Sequence, residues 1–190
     1  VVRTKKIFKE DILAGAEEFV IKETAEKFTA RALAEHMEIS TQPLYQEFSS
    51  MDELKEAVLH RVLGKVQDDI FNKKHHSDSL INLVINYIKF SKHSPELFTA
   101  VYSKNFWHPD LVNDFSQKIF QGAINKDEKY RELSHEKRES LSKWFSVISM
   151  GISQIVANDD LQLSLNEIID FFERVLGVLE QIWQENTSQI

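Results

Sequence analysis

Apolar positions along this chain recur at intervals of three and four, the spacing of one face of a helix. Ile12, Leu13, Ala16, Phe19 and Val20 predict a first helix over about residues 5–24. Phe28, Ala32 and Leu33 begin a short second helix, with Thr29 close to its start as a candidate cap. Ser40 is the candidate cap of a third short helix carrying Leu44, Tyr45 and Phe48. Pro43 is compatible with its first turn, where amide hydrogens have no helical acceptor.

After Phe48 the periodic segments lengthen. Ser50-Met51-Asp52-Glu53 has the spacing of a capping box, in which serine and glutamate satisfy each other's backbone donors, and it opens a helix through Leu54, Val58, Leu59, Val62 and Val66. Ser77 is placed to start the next helix, with Leu80, Leu83, Val84, Tyr87 and Ile88 on its apolar face. Ser94-Pro95 starts another, with serine at the cap and proline at the first helical position. A further helix follows His108-Pro109, and the charge-dense stretch from about 125 to 138 reads as a loop or frayed connection. Two long helices close the pattern, one from near Ser134 and one from the capping box Ser164-Leu165-Asn166-Glu167. Their stripes are broad: Leu141, Trp144, Phe145, Ile148, Ile152 and Ile155 on the first, Ile168, Phe172, Val175, Leu176 and Leu179 on the second. A single helical hairpin would leave part of such stripes in water, so either both helices are simply core or they pair with a second copy, for which Trp144, Ile148, Ile152, Phe172, Leu176 and Leu179 are the candidate residues.

Composition narrows the picture to an all-α chain of about nine helices. Its 190 residues hold five glycines, no two within twenty positions of each other, which excludes GxGxxG and GxxxxGK[ST] phosphate loops and the GxSxG elbow. Three prolines and no Asn-Gly or Asp-Gly pair leave little punctuation for hairpins. With no cysteine there is no disulfide scaffold, thiol nucleophile or cysteine-ligated metal. No apolar run approaches the roughly 18 residues of a membrane span, and Val1 to Lys6 lacks the apolar segment of a signal peptide, so no membrane association and a cytoplasmic location are expected. His135-Glu136-Lys137-Arg138-Glu139 opens like HExxH but ends in glutamate, and His75-His76 has no third ligand beside it, so neither metal, cofactor nor catalysis is expected.

Specific chemistry enters at residues 28–54. The run from Phe28 to Phe48 combines Thr29-Ala30-Arg31-Ala32-Leu33-Ala34 with Ser40-Thr41-Gln42-Pro43-Leu44-Tyr45-Gln46-Glu47-Phe48. It resembles the helix-turn-helix of the tetracycline-repressor (TetR/AcrR) family of transcriptional regulators. The resemblance implies a DNA-binding domain over residues 1–50 and an effector-binding and dimerisation domain over 51–190. In a helix-turn-helix the second helix enters the major groove, which places Thr41 and Gln42 at base edges. Glutamine offers a donor and an acceptor together, matching adenine, and threonine can meet a thymine methyl or a phosphate. The resemblance makes Thr29 and Tyr45 phosphate contacts, and Lys5 and Lys6 form a basic arm suited to backbone attraction. It also implies a homodimer on double-stranded DNA and a small-molecule effector between the C-terminal helices, where Phe98, Tyr102, Phe106 and Trp107 are the candidate lining residues.

Three positions depart from the family pattern. Glu38 stands where relatives often carry glycine, so either it takes a left-handed backbone or the turn differs. Glu47 adds negative charge to the recognition helix, and Met51 replaces a frequent lysine. The net charge of −7 would not steer the chain to DNA, so binding is expected to rest on hydrogen bonds and dimer geometry. The acidic balance also keeps open an alternative, a helical dimerisation or adaptor protein without DNA binding.

Overall fold

The computed structural model describes residues 7–23, 27–102, 109–157 and 164–187. Among them are ten α-helices and no strand: α1 (Lys9–Lys22), α2 (Ala30–His36), α3 (Gln42–Glu47), α4 (Met51–Val66), α5 (Ser79–His93), α6 (Pro95–Tyr102), α7 (Pro109–Lys126), α8 (Glu128–Arg131), α9 (His135–Ala157) and α10 (Leu165–Thr187). A π-helical turn, Gln67–Phe71, follows α4. None of these helices is long and apolar enough to cross a membrane. The chain forms two compact units, Val1–Ile70 with Ser94–Ser116, and Phe71–His93 with Gln117–Ile190.

In the first unit, Ile12, Ala16, Phe19 and Val20 of α1 are buried against Phe28, Leu33, Leu44 and Phe48 and against the Leu54, Val58, Leu59 and Val62 face of α4. Phe19 meets Phe28 edge-on at 5.6 Å and His36 edge-on at 5.3 Å. At Gly15, α1 approaches the end of α2 so closely that a Cβ would lie 2.7 Å from the Met37 side chain. Charge adds a second tie between α1 and α4. Arg61 bonds Glu10 and, at 2.8 Å, Glu17, and Lys65 Nζ reaches Glu17 at 2.6 Å. Burial pushes the Glu17 carboxyl up, but the two cations outweigh it and hold it below its ordinary value. Helix α4, which begins just after the expected boundary at residue 50, thus packs on the N-terminal helices.

The second unit is organised on α5, which is buried on most of its circumference, from Leu80 and Ile81 to Phe90 and Ser91. Helix α9 lies along it with Ser142, Ser146, Ser149 and Ser153 buried at i, i+4, i+7 and i+11. Side chains this small allow a close interaxial approach. The Ser149 and Ser153 hydroxyls are fully buried without a hydrogen-bond partner, which fits a role set by size. Helix α10 buries Ile168, Phe172 and Leu176, with Phe172 5.5 Å from Phe145 of α9.

Several expected starts move by one or two residues, and each shift has a local cause. The third helix takes Thr41, not Ser40, as its N-cap, without a side-chain bond. The expected box at α4 is split: Ser50 Oγ accepts from Glu53 N–H, while the Glu53 carboxylate turns back to Ser49 N–H at 2.7 Å and its hydroxyl at 2.5 Å. Asp78 replaces Ser77 at the start of α5, its Oδ1 accepting from Leu80 and Ile81 N–H at 2.9 and 3.0 Å. The box at Ser164 and Glu167 forms in full. The stretch 125–138 is not a loop. It contains the end of α7, the one-turn α8 and the start of α9, because buried Tyr130 anchors α8 within an otherwise polar segment. That extra turn accounts for ten helices where nine are expected.

Candidate nucleic-acid interface

Helices α2 and α3 are joined by a turn that the sequence marks at Glu38. Glu38 N–H donates to Glu35 O at 3.1 Å and Ile39 N–H to Ala34 O at 2.9 Å, the paired bonds of a Schellman motif. This motif needs a left-handed residue at Glu38, which has φ 55°, the one non-glycine residue with positive φ among those described. The left-handed alternative is therefore the one adopted, at a cost of about 1–2 kcal/mol for a residue with a Cβ. Glu38→Gly is expected to stabilise the protein by roughly 0.5–1 kcal/mol, part of the relief being returned as unfolded-chain entropy. Thermal unfolding checks this, and a lowered melting temperature would show that the Glu38 side chain makes a compensating contact.

Beyond the turn, the buried side of α3 is Leu44, followed by Phe48 at its C-cap, over whose ring Lys9 Nζ sits 4.8 Å from the centroid. Ile39, just past the turn, is half-buried. The opposite side of α3 carries Gln42 and Tyr45, both exposed, Tyr45 at 58%. An aromatic ring of that size left in water on a six-residue helix contributes little to the core. Thr41 is half-buried at the helix start. Gln46 shares the exposed face, one turn after Gln42, and is the residue the sequence reading passes over although its i+4 spacing gives it away. Glu47 is half-buried at the edge of that face.

Thr29 is exposed and caps α2, its Oγ1 accepting from Ala32 N–H at 3.2 Å. That bond uses a lone pair and leaves the hydroxyl hydrogen to donate, so capping and phosphate contact are compatible at Thr29. Lys5 and Lys6 lie outside the described residues.

The other expected sites divide. Phe98 is fully buried in α6, 4.9 Å from the half-buried Tyr102 ring, while Phe106 and Trp107 lie outside the described residues. On the closing helices, Phe172 and Leu176 face inward and have no surface left to give a second copy. Ile148, Ile152 and Leu179 are half-buried, and Trp144 is 58% exposed. The exposed apolar face adds Val147 and Ile155 on α9 and Phe171 and Val178 on α10. The stripes are wide enough to serve two sides, and spacing alone does not say which side meets α5.

The chain matches no protein-family model and no curated protein. Solved structures do match. A TetR-like transcriptional regulator from Rhodococcus sp. RHA1 is 16% identical, with a TM-score of 0.56 over 86% of this chain and 90% of that one. AibR, solved in complex with isovaleryl coenzyme A and operator DNA, is 12% identical, with a TM-score of 0.55 over 86% of this chain and 94% of that one. A Clostridium perfringens protein described as a putative fatty acid metabolism regulator is 14% identical, with a TM-score of 0.55 over 85% and 93%. The all-α arrangement described above is thus the fold of TetR-like regulators.

Proposed function

We propose that this chain is a ligand-responsive, DNA-binding transcriptional regulator that acts as a repressor, in the cytoplasm, and not an enzyme. The observation that carries the reading is the exposed Gln42, Tyr45 and Gln46 face on a short helix set by a Schellman turn against α2. Polar and aromatic side chains turned to water in this way are suited to a major groove. In this reading residues 1–50 form the DNA-binding head and 51–190 the effector and dimerisation region. Thr41 and Gln42 read bases, and Thr29, Tyr45, Lys5 and Lys6 hold phosphates. Two copies, paired through α9 and α10, present two heads to an inverted repeat. A small-molecule effector near Phe98 and Tyr102 changes the spacing of those heads, as a ligand must that binds one spacing better than the other.

The test is fluorescence anisotropy with DNA from upstream of the gene, against a scrambled duplex, at two salt concentrations. Gln42→Ala is expected to weaken specific binding about 5- to 150-fold, the worth of one bidentate base contact. Tyr45→Phe is expected to weaken specific and scrambled DNA alike by roughly 3- to 10-fold, since it removes one hydrogen bond to the backbone. Affinity equal to the parent's in Tyr45→Phe would remove Tyr45 from the phosphate contacts. Absence of binding to any DNA at low salt would favour the adaptor alternative.

A further inference from the structure

Helix α3 turns through about 100° per residue, so its side-chain directions are set once its buried residue is known. That residue is Leu44, 1% exposed. Gln42 lies two positions before it and Gln46 two positions after, so each stands about 160° from Leu44 and the two are about 40° apart. Both are exposed. Thr41 and Tyr45 are nearer the rim, about 60° and 100° from Leu44, and Thr41 is half-buried. The most outward part of the face is therefore a pair of glutamines one turn apart. Among the described residues neither amide has a hydrogen-bond partner within the chain. A phosphate, an acceptor only, engages the donor of such an amide and leaves its oxygen idle, whereas the N6 and N7 edge of adenine engages both. Helix α3 holds no lysine or arginine, and the half-buried Glu47 beside Gln46 repels phosphate. The glutamine pair is thus fitted to base edges, with the DNA backbone left to the rim.

We propose that Gln46 reads a base alongside Gln42, each glutamine on one adenine, so that every half-site carries two A·T pairs about two base pairs apart. The spacing follows from the helix, since four residues rise about 6 Å and base pairs stack about 3.4 Å apart. This assignment rests on the DNA-binding reading above and adds the bases that each head selects. Gln46 is a specificity-determining residue in it, and Thr41 meets DNA only from the rim.

The experiment is selection of binding sites by the full chain from a library of duplexes with randomised bases, sequenced for the parent, Q42A, Q46A and Q46K. The parent is expected to enrich half-sites with two adenines about two positions apart. Q46A is expected to lose the preference at one of them, where the parent discriminates about 5- to 150-fold, and to keep it at the other, with Q42A doing the reverse. Q46K is expected to move the first of these positions from A·T to G·C, since lysine donates to guanine O6 and N7. Placing 7-deazaadenine there, which lacks the N7 acceptor, is expected to weaken the parent by roughly 3- to 10-fold and to leave Q46A unmoved. Both glutamines face water, so the substitutions leave the folded head intact. If Q46A enriches the same bases as the parent with undiminished preference, the assignment of Gln46 is overturned while the DNA-binding reading stands. Relaxation by Q46A at a G·C pair would also overturn it, as would a uniform loss of affinity across all sequences, the mark of a phosphate contact. A parent that enriches no sequence would overturn the sequence-reading head itself, and the assignment of Gln46 with it.

Discussion

Asp78→Ala is expected to destabilise the protein by about 3–5 kcal/mol, enough to lower its melting temperature by roughly 6–20 °C. The carboxylate is 8% exposed and serves two elements at once. One oxygen caps α5 through Leu80 and Ile81, and the other accepts from Tyr130 Oη at 2.7 Å and Lys129 Nζ at 2.5 Å. Lys129 is itself held to Glu180 of α10 at 3.2 Å, so α5, α8 and α10 meet at this carboxylate. Removing it leaves the buried Tyr130 hydroxyl without its acceptor and the end of α5 uncapped, and an orphaned buried group costs more than the bond it made. Asp78→Asn keeps the size and one capping oxygen, so a loss of about 1–3 kcal/mol is expected, most of it from the Lys129 side. A loss under about 1 kcal/mol for Asp78→Ala in denaturant unfolding would show that water or a neighbour replaces the carboxylate.

The same cluster fixes a pH dependence. Burial pushes the Asp78 carboxyl up, but hydrogen bonds from Lys129, Tyr130 and the Ile81 backbone, with the Lys129 charge, outweigh it and hold the folded value below the ordinary one. A carboxyl depressed on folding contributes stability that is fully present above its unfolded value, near 3.9, and is lost as pH falls through the folded value. The gap between the parent and Asp78→Ala is therefore expected to hold from about pH 5 to neutrality and to narrow in acid. At the alkaline end the sign reverses. Burial pulls Lys129 down, but Asp78 and Glu180 raise it above its ordinary value, so its contribution is present at neutrality and lost only as pH rises through the folded value.

How much of this is legible in the sequence depends on the range of the signal. The turn at Glu38 is legible because a Schellman motif is local: the residue two past the last helical position must be left-handed, and the departure from glycine marks the place. The exposed side of α3 is legible because Leu44 and Phe48 fix the inward side of so short a helix. Caps are legible to within two residues. Where serine and aspartate compete, as at Ser77 and Asp78, the choice goes to the group that also satisfies Lys129 and Tyr130, more than fifty positions away. Helix α8 is hidden for the same reason, since the one residue that anchors it, Tyr130, sits among charges and finds its partner on α5. The closing helices read as apolar but not as two-sided. Phe171 and Phe172 are adjacent in sequence, and only packing turns the first outward and the second inward, against Phe145 of α9.

That division sets the second large effect. Trp144, Val147 and Ile155 on α9 and Phe171 and Val178 on α10 are each at least 42% exposed, an apolar face suited to a second copy of itself in a four-helix arrangement. Trp144→Glu combined with Phe171→Glu is expected to convert a dimer to a monomer in light scattering, because charges placed opposite their own symmetry mates are desolvated and repel. Helix content should stay unchanged, since both side chains face water in the single chain. Operator affinity should fall about 100- to 10,000-fold, the gain that bivalent engagement of two half-sites supplies, while affinity for a single half-site should not move. Phe172→Ala is the counterpart: fully buried, it is expected to cost about 3–5 kcal/mol of folding stability without a specific effect on pairing in the fraction that remains folded. If the double glutamate variant stays dimeric, the copies pair elsewhere and the outward face of α9 and α10 serves another partner. If it becomes monomeric yet binds the operator as tightly as the parent, one head suffices and the inverted-repeat arrangement falls with it.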